Sequence, residues 1–426
     1  MRKSRTLSKK GQASGSGQSA EVRIELPALA QVSEGFFALC AQVGHQVLSA
    51  MMEHDRTMRC GAKGIPNPGR EALRWGSTPS LVVLGGRQIE VRRLRARSRE
   101  GREVELPSYR WAAERDPLDE HTVGAIASGV ATRRYKRTLD PLPPGEREVS
   151  ISKSAVSRRF VALSTKEMAV WLGRRLEDLD LRAIEIDGIA FRDHTLVIAL
   201  GVTSGAEKVV LGVREGTTEN AAVTKALLGD LIERGLPTEH ALLFVIDGSK
   251  ALRQAILAVF GKLAVIQRCQ VHKTRNVVDH LPDRLKGPTK RAMQDAYAAS
   301  DAAVAQQKLE RLSRSLEREH PGAAASLREG MAETLTLLHL GITGPLYRCL
   351  RSTNAIENLN GSVAHFTRNV RCWRDGRMIV RWVVTALAQA QKHFRRLKGE
   401  RSMHRLLAAL EAHEREVQLD TTREVA

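Results

Sequence analysis

Asp187 and Asp247 each close a short apolar run and are each followed by glycine, in Ala183-Ile184-Glu185-Ile186-Asp187-Gly188 and Ala241-Leu242-Leu243-Phe244-Val245-Ile246-Asp247-Gly248. Apolar runs of this length read as strands buried on both faces, with the acid at the C-terminal edge, where α/β sheets place their chemistry. Asp-Gly also opens turns, so the two motifs alone leave a purely structural role open. A third acid, Glu357, stands in Ser352-Thr353-Asn354-Ala355-Ile356-Glu357-Asn358. Three carboxylates without a histidine-rich cluster suit hard, oxygen-liking cations, Mg2+ or Mn2+, rather than zinc. Brought together, they could form a two-metal site that activates an attacking oxygen and stabilises a leaving oxygen in phosphoryl displacement. Glu185 shares the strand face of Asp187 and reads as an extra outer acid or a salt-bridge partner. Cys269 and His272 make only half a zinc site, which favours a packing or hydrogen-bonding role near the core.

The elements that must position these acids follow from the pattern after Leu181. The first strand ends at Asp187; His194 to Thr203 and Lys208 to Val213 read as two more, and an amphipathic helix follows from Ala221 to Arg234. Next come the Asp247 strand, a helix bearing Leu252, Ile256 and Phe260, and a fifth strand at Leu263 to Ile266. That order is the order of a ribonuclease H-like sheet, in which the first and fourth strands are neighbours, so Asp187 and Asp247 would adjoin. From Val271 to Leu338 the chain is helical and charged, and a final helix from Arg377 to Lys398 carries Trp382, Val383, Leu387 and Phe394.

A chain of 426 residues is long enough for two or three domains with cores of their own. With Lys+Arg at 67 against Asp+Glu at 48, the net charge is +19, which points to a polyanionic partner, nucleic acid first. Aromatic residues are only 4%, so phosphate neutralisation rather than base stacking is the expected binding mode. No apolar run is long enough for a membrane span, the basic N-terminus lacks the apolar stretch of a secretory signal, and five scattered cysteines make no disulfide framework. A reducing, cytoplasmic setting is the simpler reading.

Residues 1–20 read as a disordered basic tail. A helical stripe runs from Gln31 to Arg59, and Leu81 to Val91 reads as a hairpin on Gly85-Gly86 whose second strand continues into Arg92, Arg93, Arg95, Arg97 and Arg99. Asp116-Pro117 starts a helix, and Thr132 to Lys136 opens another. From Ser150 to Leu163, Val156 and Phe160 share one face while Lys153, Ser154, Ser157 and Arg158 share another, a pattern that fits a helix-turn-helix. An ordinary solvated helix has the same pattern. Among the tryptophans, Trp373 stands out because Arg371, Arg374 and Arg377 surround it.

Taken in order and at these spacings, Ile186-Asp187-Gly188, Val245-Ile246-Asp247-Gly248, Gln267-Arg268-Cys269-Gln270-Val271-His272-Lys273-Thr274-Arg275-Asn276 and Arg351-Ser352-Thr353-Asn354-Ala355-Ile356-Glu357-Asn358-Leu359-Asn360 resemble the mutator-type transposases of bacterial insertion sequences. The resemblance covers about Leu181 to Lys398 and extends more weakly back through Ser150 to Arg158. It implies an α/β fold: a ribonuclease H-like mixed sheet with an all-helical insertion, preceded by a mainly helical DNA-binding region with a small β element. It places the family's DDE acids on Asp187, Asp247 and Glu357 as ligands of Mg2+ or Mn2+, and its Cys-x-x-His signature on Cys269 and His272, with Arg275, Asn276 and Asn354 nearby. The implied activity is metal-dependent cleavage at the ends of a mobile element and transfer of the freed 3′-OH into target DNA. Implied partners are double-stranded DNA, both terminal repeats and target, and further copies of the chain, in the bacterial cytoplasm on the nucleoid. A DNA-binding regulator without catalysis and a structure-selective nuclease on the same fold are the alternatives. The family's usual basic residues soon after the glutamate are replaced here by Gly361 and Ala364, with His365 and Arg368 following. The expected segments are a basic tail (1–20), a helix and hairpin region (21–110), a helix-turn-helix-like DNA-binding region (111–180), the first part of the core (181–268), the insertion (269–345), the final core helices (346–398) and a charged C-terminal tail (399–426).

Overall fold

The computed structural model describes residues 36–84, 87–114, 124–126, 130, 148–149, 153–191, 194–216 and 221–425. The basic tail, the Gly85-Gly86 turn, the helices expected at Asp116 and Thr132, and residues 150–152 lie outside the described residues. Contacts divide the chain into two units, one of residues 1–122 and 132–157, the other of residues 123–131 and 158–426.

In the first unit, α1 (Phe36–Cys60) lies against a long hairpin, β1 (Ala72–Leu84) and β2 (Arg87–Ser98), whose ladder runs from Leu84↔Arg87 to Ala72↔Ser98. Two short strands, β3 (Glu103–Val104) and β4 (Glu148–Val149), pair with β2, and α2 (Pro107–Glu114) follows β3. Leu48 and Met52 of α1 share a core with Val82, Ile89, Val91, Leu106 and Ala112. The arginine-rich end of β2 is partly neutralised from within: Glu103 lies 2.7 Å from Arg95 and 3.7 Å from both Arg93 and Arg97.

The helix α3 (Lys153–Leu172) leads into the second unit. There a five-stranded sheet has the order β7-β6-β5-β8-β9. Its strands are β5 (Leu181–Phe191), β6 (His194–Thr203), β7 (Lys208–Gly216), β8 (Leu242–Ile246) and β9 (Ala264–Arg268). β5, β6 and β7 form an antiparallel meander, and β8 and β9 add to β5 in parallel. The parallel additions need crossovers, supplied by α4 (Ala221–Glu233) and α5 (Lys250–Phe260). Leu227, Leu228 and Leu231 of α4 and Leu252, Ile256 and Phe260 of α5 cover Ile184, Ile186, Leu242, Phe244 and Ile246 on one face. Phe244 is fully buried and tilted against Phe260 at 4.9 Å between centroids. Phe244→Ala is therefore expected to cost about 3–5 kcal/mol of stability, measurable as a drop in the urea midpoint.

On the other face of β5, β6 and β7 lie α13 (Asn354–Thr367) and α14 (Gly376–Gln391), through Ile356, Leu359, Val363, Ile379, Val383 and Leu387. Between β9 and α13 come α6 (Gln270–Asp279), α7 (Asp283–Tyr297), α8 (Ala302–Glu317), α9 (Pro321–Arg328), α10 (Met331–Thr334), α11 (Thr336–His339) and α12 (Gly344–Leu350). Their apolar stripes make one core with Ala183, Leu243, Val245 and Val265 of the sheet.

Two expectations are corrected here. Asp187 does not end its strand: β5 runs on to Phe191, because Gly188 to Phe191 pair with Val197 to His194 of β6. The second concerns secondary structure within the charged 399–426 segment, which carries a helix that sequence did not indicate, α15 (Met403–Val425), whose Met403, Leu406 and Leu410 are buried in the helical core. Among the described residues, no helix is long and apolar enough to cross a membrane.

Candidate active site

The parallel ladder between β5 and β8 pairs Ala183↔Leu243, Ile184↔Phe244 and Glu185↔Val245. Asp187 and Asp247 stand two residues beyond the last of these pairs, so they are level on adjoining strands and share one sheet face. β8 stops at Ile246, which leaves both acids where the parallel ladder opens. Asp247 Oδ1 accepts the Ser249 backbone N–H at 2.8 Å, and Ser249 in turn caps α5. Asp187 Oδ2 accepts Asn360 Nδ2 of α13 at 2.8 Å. Burial above all, with the Asp247 and Glu357 charges adding to it, pushes the Asp187 carboxyl up to about 6.

Helix α13 brings Glu357 and Asn360 to this face from one stripe, three residues apart. Two contacts hold its first turn. Glu185 is fully buried, and its Oε2 accepts the Ile356 N–H at 3.0 Å, one of the donors that a helix start leaves without an intrahelical partner. The N-cap Thr353 makes no side-chain cap bond, because its hydroxyl is turned the other way. Thr353 Oγ1 reaches Glu357 Oε1 at 2.7 Å, Cys269 Sγ at 3.4 Å and His272 Nδ1 at 3.4 Å. A residue on a strand 171 positions away thus supplies the cap that Thr353 does not.

Glu185 Oε1 has no hydrogen-bond partner, and burial pushes this carboxyl up to about 8. Among the described residues Glu185 makes no ion pair, and its side chain acts as a strand-to-helix cap. Glu185→Leu leaves the Ile356 N–H without an acceptor, at a cost of about 1–3 kcal/mol, whereas Glu185→Gln keeps a carbonyl there. The leucine variant is expected to melt well below the glutamine variant, and calorimetry of the pair checks it.

Cys269 and His272 join the site through the start of α6. Cys269 N–H donates to Ile246 O at 2.7 Å, directly before Asp247, and Gln270 N–H donates to Arg351 O at 3.0 Å. Cys269 Sγ, His272 and Glu357 offer ligand atoms within 4.8 Å of one another, a set that could take a metal ion. The Thr353 hydroxyl bonded to all three makes a hydrogen-bonded hub the simpler description. The bond with Cys269 chiefly raises the His272 pKa, helped by the Glu357 and Asp247 charges. Although burial opposes it, hydrogen bonds with His272 and Thr353 hold the Cys269 thiol below its usual range.

Other residues of the same motif do a second job. Gln267, Arg268, Gln270 and Lys273 are all buried and all reach into the helical insertion. Gln267 Nε2 and Gln270 Nε2 donate to Thr334 O at 3.0 and 2.8 Å, and Gln267 Oε1 accepts the Leu337 N–H at 3.0 Å. Lys273 Nζ donates to Ser326 O at 2.7 Å and lies 3.2 Å from Glu329 Oε2. Arg268 Nη2 donates to Gly248 O at 3.1 Å and to Glu329 Oε2 at 2.9 Å. The residue after Asp247 is therefore tied to the insertion through one buried guanidinium.

The other expected site residues are spread more widely. Arg275 and Asn276 are exposed one turn beyond His272 on the same stripe of α6, and Asn354 is exposed at the start of α13. Arg371, Arg374 and Arg377 are exposed, while Trp373 is half-buried and packs edge-on against Phe191 at 5.4 Å. On α3, Ser154, Ser157 and Arg158 are exposed opposite the buried Val156 and Phe160, and Lys153 begins the helix. Glu185, Thr353 and Asn360 were not singled out for these contacts by sequence, since each depends on a partner distant in the chain.

Compared with known proteins, residues 18–396 match the model of a family described as "Transposase, Mutator family". A stretch of 176 residues is 31% identical to the transposase for insertion sequence element IST2 of Acidithiobacillus ferrooxidans, covering 41% of this chain and 58% of that relative, less than two thirds of its length. The transposase for IS256 in transposon Tn4001 of Staphylococcus aureus is 25% identical over 76% of this chain and 83% of its own length. That for ISRM5 of Rhizobium meliloti is 26% identical over 82% of this chain and 86% of its own length.

Proposed function

Because this chain belongs to the Mutator family of transposases, we propose that it cuts DNA at the ends of an insertion sequence and joins the freed 3′-OH to target DNA. The observation that carries this reading is the level placement of Asp187 and Asp247 on one sheet face under α13, the helix of Glu357. The strand order β7-β6-β5-β8-β9, an antiparallel meander followed by two parallel additions, supports a ribonuclease H-like core. The donors fit Mg2+ or Mn2+, being all carboxylate oxygens, and the raised Asp187 carboxyl marks buried negative charge that a cation relieves. When bound, such a cation would polarise the scissile phosphate and the attacking and leaving oxygens.

The rest is work for the chain's own side chains. Asn360 and the Ser249 N–H orient the two aspartates, and Thr353 orients Glu357. Glu185 fixes the height of α13 against β5. His272, held by Cys269 and Thr353, sets a cationic group 3.7 Å from Glu357 when protonated. Lys153, Ser154, Ser157 and Arg158 of α3 are the proposed reading face for terminal repeats, and Arg371, Arg374 and Arg377 with Trp373 are proposed to hold backbone. Two DNA ends must be held together for transposition, so the active species is proposed to be an oligomer of this chain.

The test is a strand-transfer assay with labelled element ends and a target plasmid in Mg2+. Joined product is expected; cleavage without joining would favour the nuclease alternative, and binding without cleavage the regulator. Arg158→Ala is expected to weaken binding to terminal repeats more than to random duplex in a competition binding assay. Equal loss on both would make Arg158 a phosphate contact only.

A further inference from the structure

Beside the outer face of α13 lies a groove of about 610 Å3 that contains Lys208, His365, His393 and Arg395 in its walls and no carboxylate. A second groove of this unit differs in sign: Glu177, Asp178, Asp180, Glu411 and Glu414 outnumber Arg182 and Arg415 in its lining. Neighbouring Arg396 is matched by Glu207 and Glu400, whereas among the described residues no carboxylate pairs with Lys208 or Arg395 of the groove. Phe394 forms part of its floor, with Lys208 Nζ 4.9 Å from the ring centroid.

Gly361 forms the edge of the groove nearest the candidate active site, one helical turn after Glu357. Neither backbone nor packing requires a glycine there: it sits inside α13, and a Cβ built on it would meet nothing within 4 Å. Glycine inside a helix costs about 0.5–1 kcal/mol relative to alanine, a cost that the fold does not recover. What the missing side chain does leave is open space on α13 at the groove, one turn from Glu357. One turn further on the same stripe is His365, which is 2.7 Å from Arg368 Nη1.

We propose that this groove holds the sugar-phosphate backbone of the DNA strand beside the bond that is cut, with the strand crossing α13 at Gly361. The inference rests on the DNA-cleaving reading above and adds the surface along which that strand runs. Lys208 and Arg395 neutralise phosphate, and the Phe394 floor accepts the apolar side of sugar or base.

Gly361→Glu and Gly361→Arg place side chains of similar length and opposite charge in the same open space, and both residues are better helix formers than glycine. Arg311→Glu, on the exposed side of α8, removes more positive charge than Gly361→Glu and controls for net charge alone. The probes are a fluorescein-labelled single-stranded oligonucleotide and its duplex, bound to the full chain in EDTA, followed by cleavage in Mg2+. Gly361→Glu is expected to weaken single-strand binding by about tenfold at low salt and Gly361→Arg, which fills the same space but adds a phosphate-neutralising charge, to weaken it clearly less. Arg395→Ala is expected to flatten the log–log salt dependence on the single strand by about 0.7. The groove assignment is overturned if the parent binds and cuts DNA while Gly361→Glu behaves like Arg311→Glu. It is equally overturned if Arg395→Ala leaves the salt dependence on the single strand unchanged, since the groove would then meet no phosphate. A parent that binds no DNA overturns the proposed function itself.

Discussion

Asp187→Asn, Asp247→Asn and Glu357→Gln are each expected to lower cleavage and joining of element ends by about a thousandfold or more while leaving end binding near the parent level. The size follows from the role: removing a ligand charge forfeits several kcal/mol of transition-state stabilisation, and each factor of ten in rate is about 1.4 kcal/mol. The fold should survive, because each amide keeps the acceptor that its neighbour uses. Ser249 N–H still finds a carbonyl at position 247, Asn360 one at position 187 and the Thr353 hydroxyl one at position 357. Acids that act as a unit are not additive, so a double variant should be little worse than a single one. The measurements are cleavage of a labelled element end in Mg2+ and binding of the same DNA in EDTA. Near-parent strand transfer by Glu357→Gln would remove Glu357 from the set of ligands and with it the alignment of α13 on the family's glutamate.

How much of this site could be read from sequence depends on whether a contact is local. β8 was legible because Leu242 to Ile246 are uniformly apolar and wholly buried, with Gly248 beyond. β5 was legible only to Asp187: Gly188-Ile189-Ala190-Phe191 has no stop signal, and its strand state comes from pairing with β6. The α15 stripe of Met403, Leu406 and Leu410 has helical spacing, but the charged residues between them hid it. The double use of Gln267 to Lys273 was half visible, since Gln270, Lys273, Thr274 and Val277 recur as one helical face. A buried lysine and two buried glutamines run against the usual preference for exposure, and their donors are taken up chiefly by carbonyls of the insertion, far off in sequence. Glu185 and Thr353 follow the same rule. Their chemistry was printed in the chain, but a cap offered by a strand and a hub offered by an N-cap exist only once β5, α6 and α13 meet.

Gly248→Ala is expected to destabilise the protein by at least about 1–3 kcal/mol and to reduce cleavage beyond what the lost stability explains. Gly248 has φ +106°, a conformation that costs a side-chain-bearing residue roughly 1–3 kcal/mol. A Cβ there would also lie 2.1 Å from Arg268 Nε, inside the guanidinium that Gly248 O and Glu329 hold in place. That guanidinium has little room to retreat, since a Cβ on Gly330 opposite it would lie 2.2 Å from Nη1. The side chain must therefore shift and loosen its pair with Glu329, a smaller loss than that of a fully buried pair because the Glu329 side chain is 47% exposed. A double-mutant cycle with Arg268→Ala, read by urea unfolding, separates the causes. If the clash dominates, the Gly248→Ala cost should shrink in the Arg268→Ala background; strict additivity would leave only backbone strain. Activity discriminates further, because Asp247 precedes Gly248 and its Oδ1 is held by the Ser249 N–H just after it. Any shift of this turn moves the aspartate relative to Asp187 on the neighbouring strand. Cleavage measured well below the melting temperature should then fall in Gly248→Ala while binding of element ends holds, the split expected when a positioning contact rather than a DNA contact has been lost.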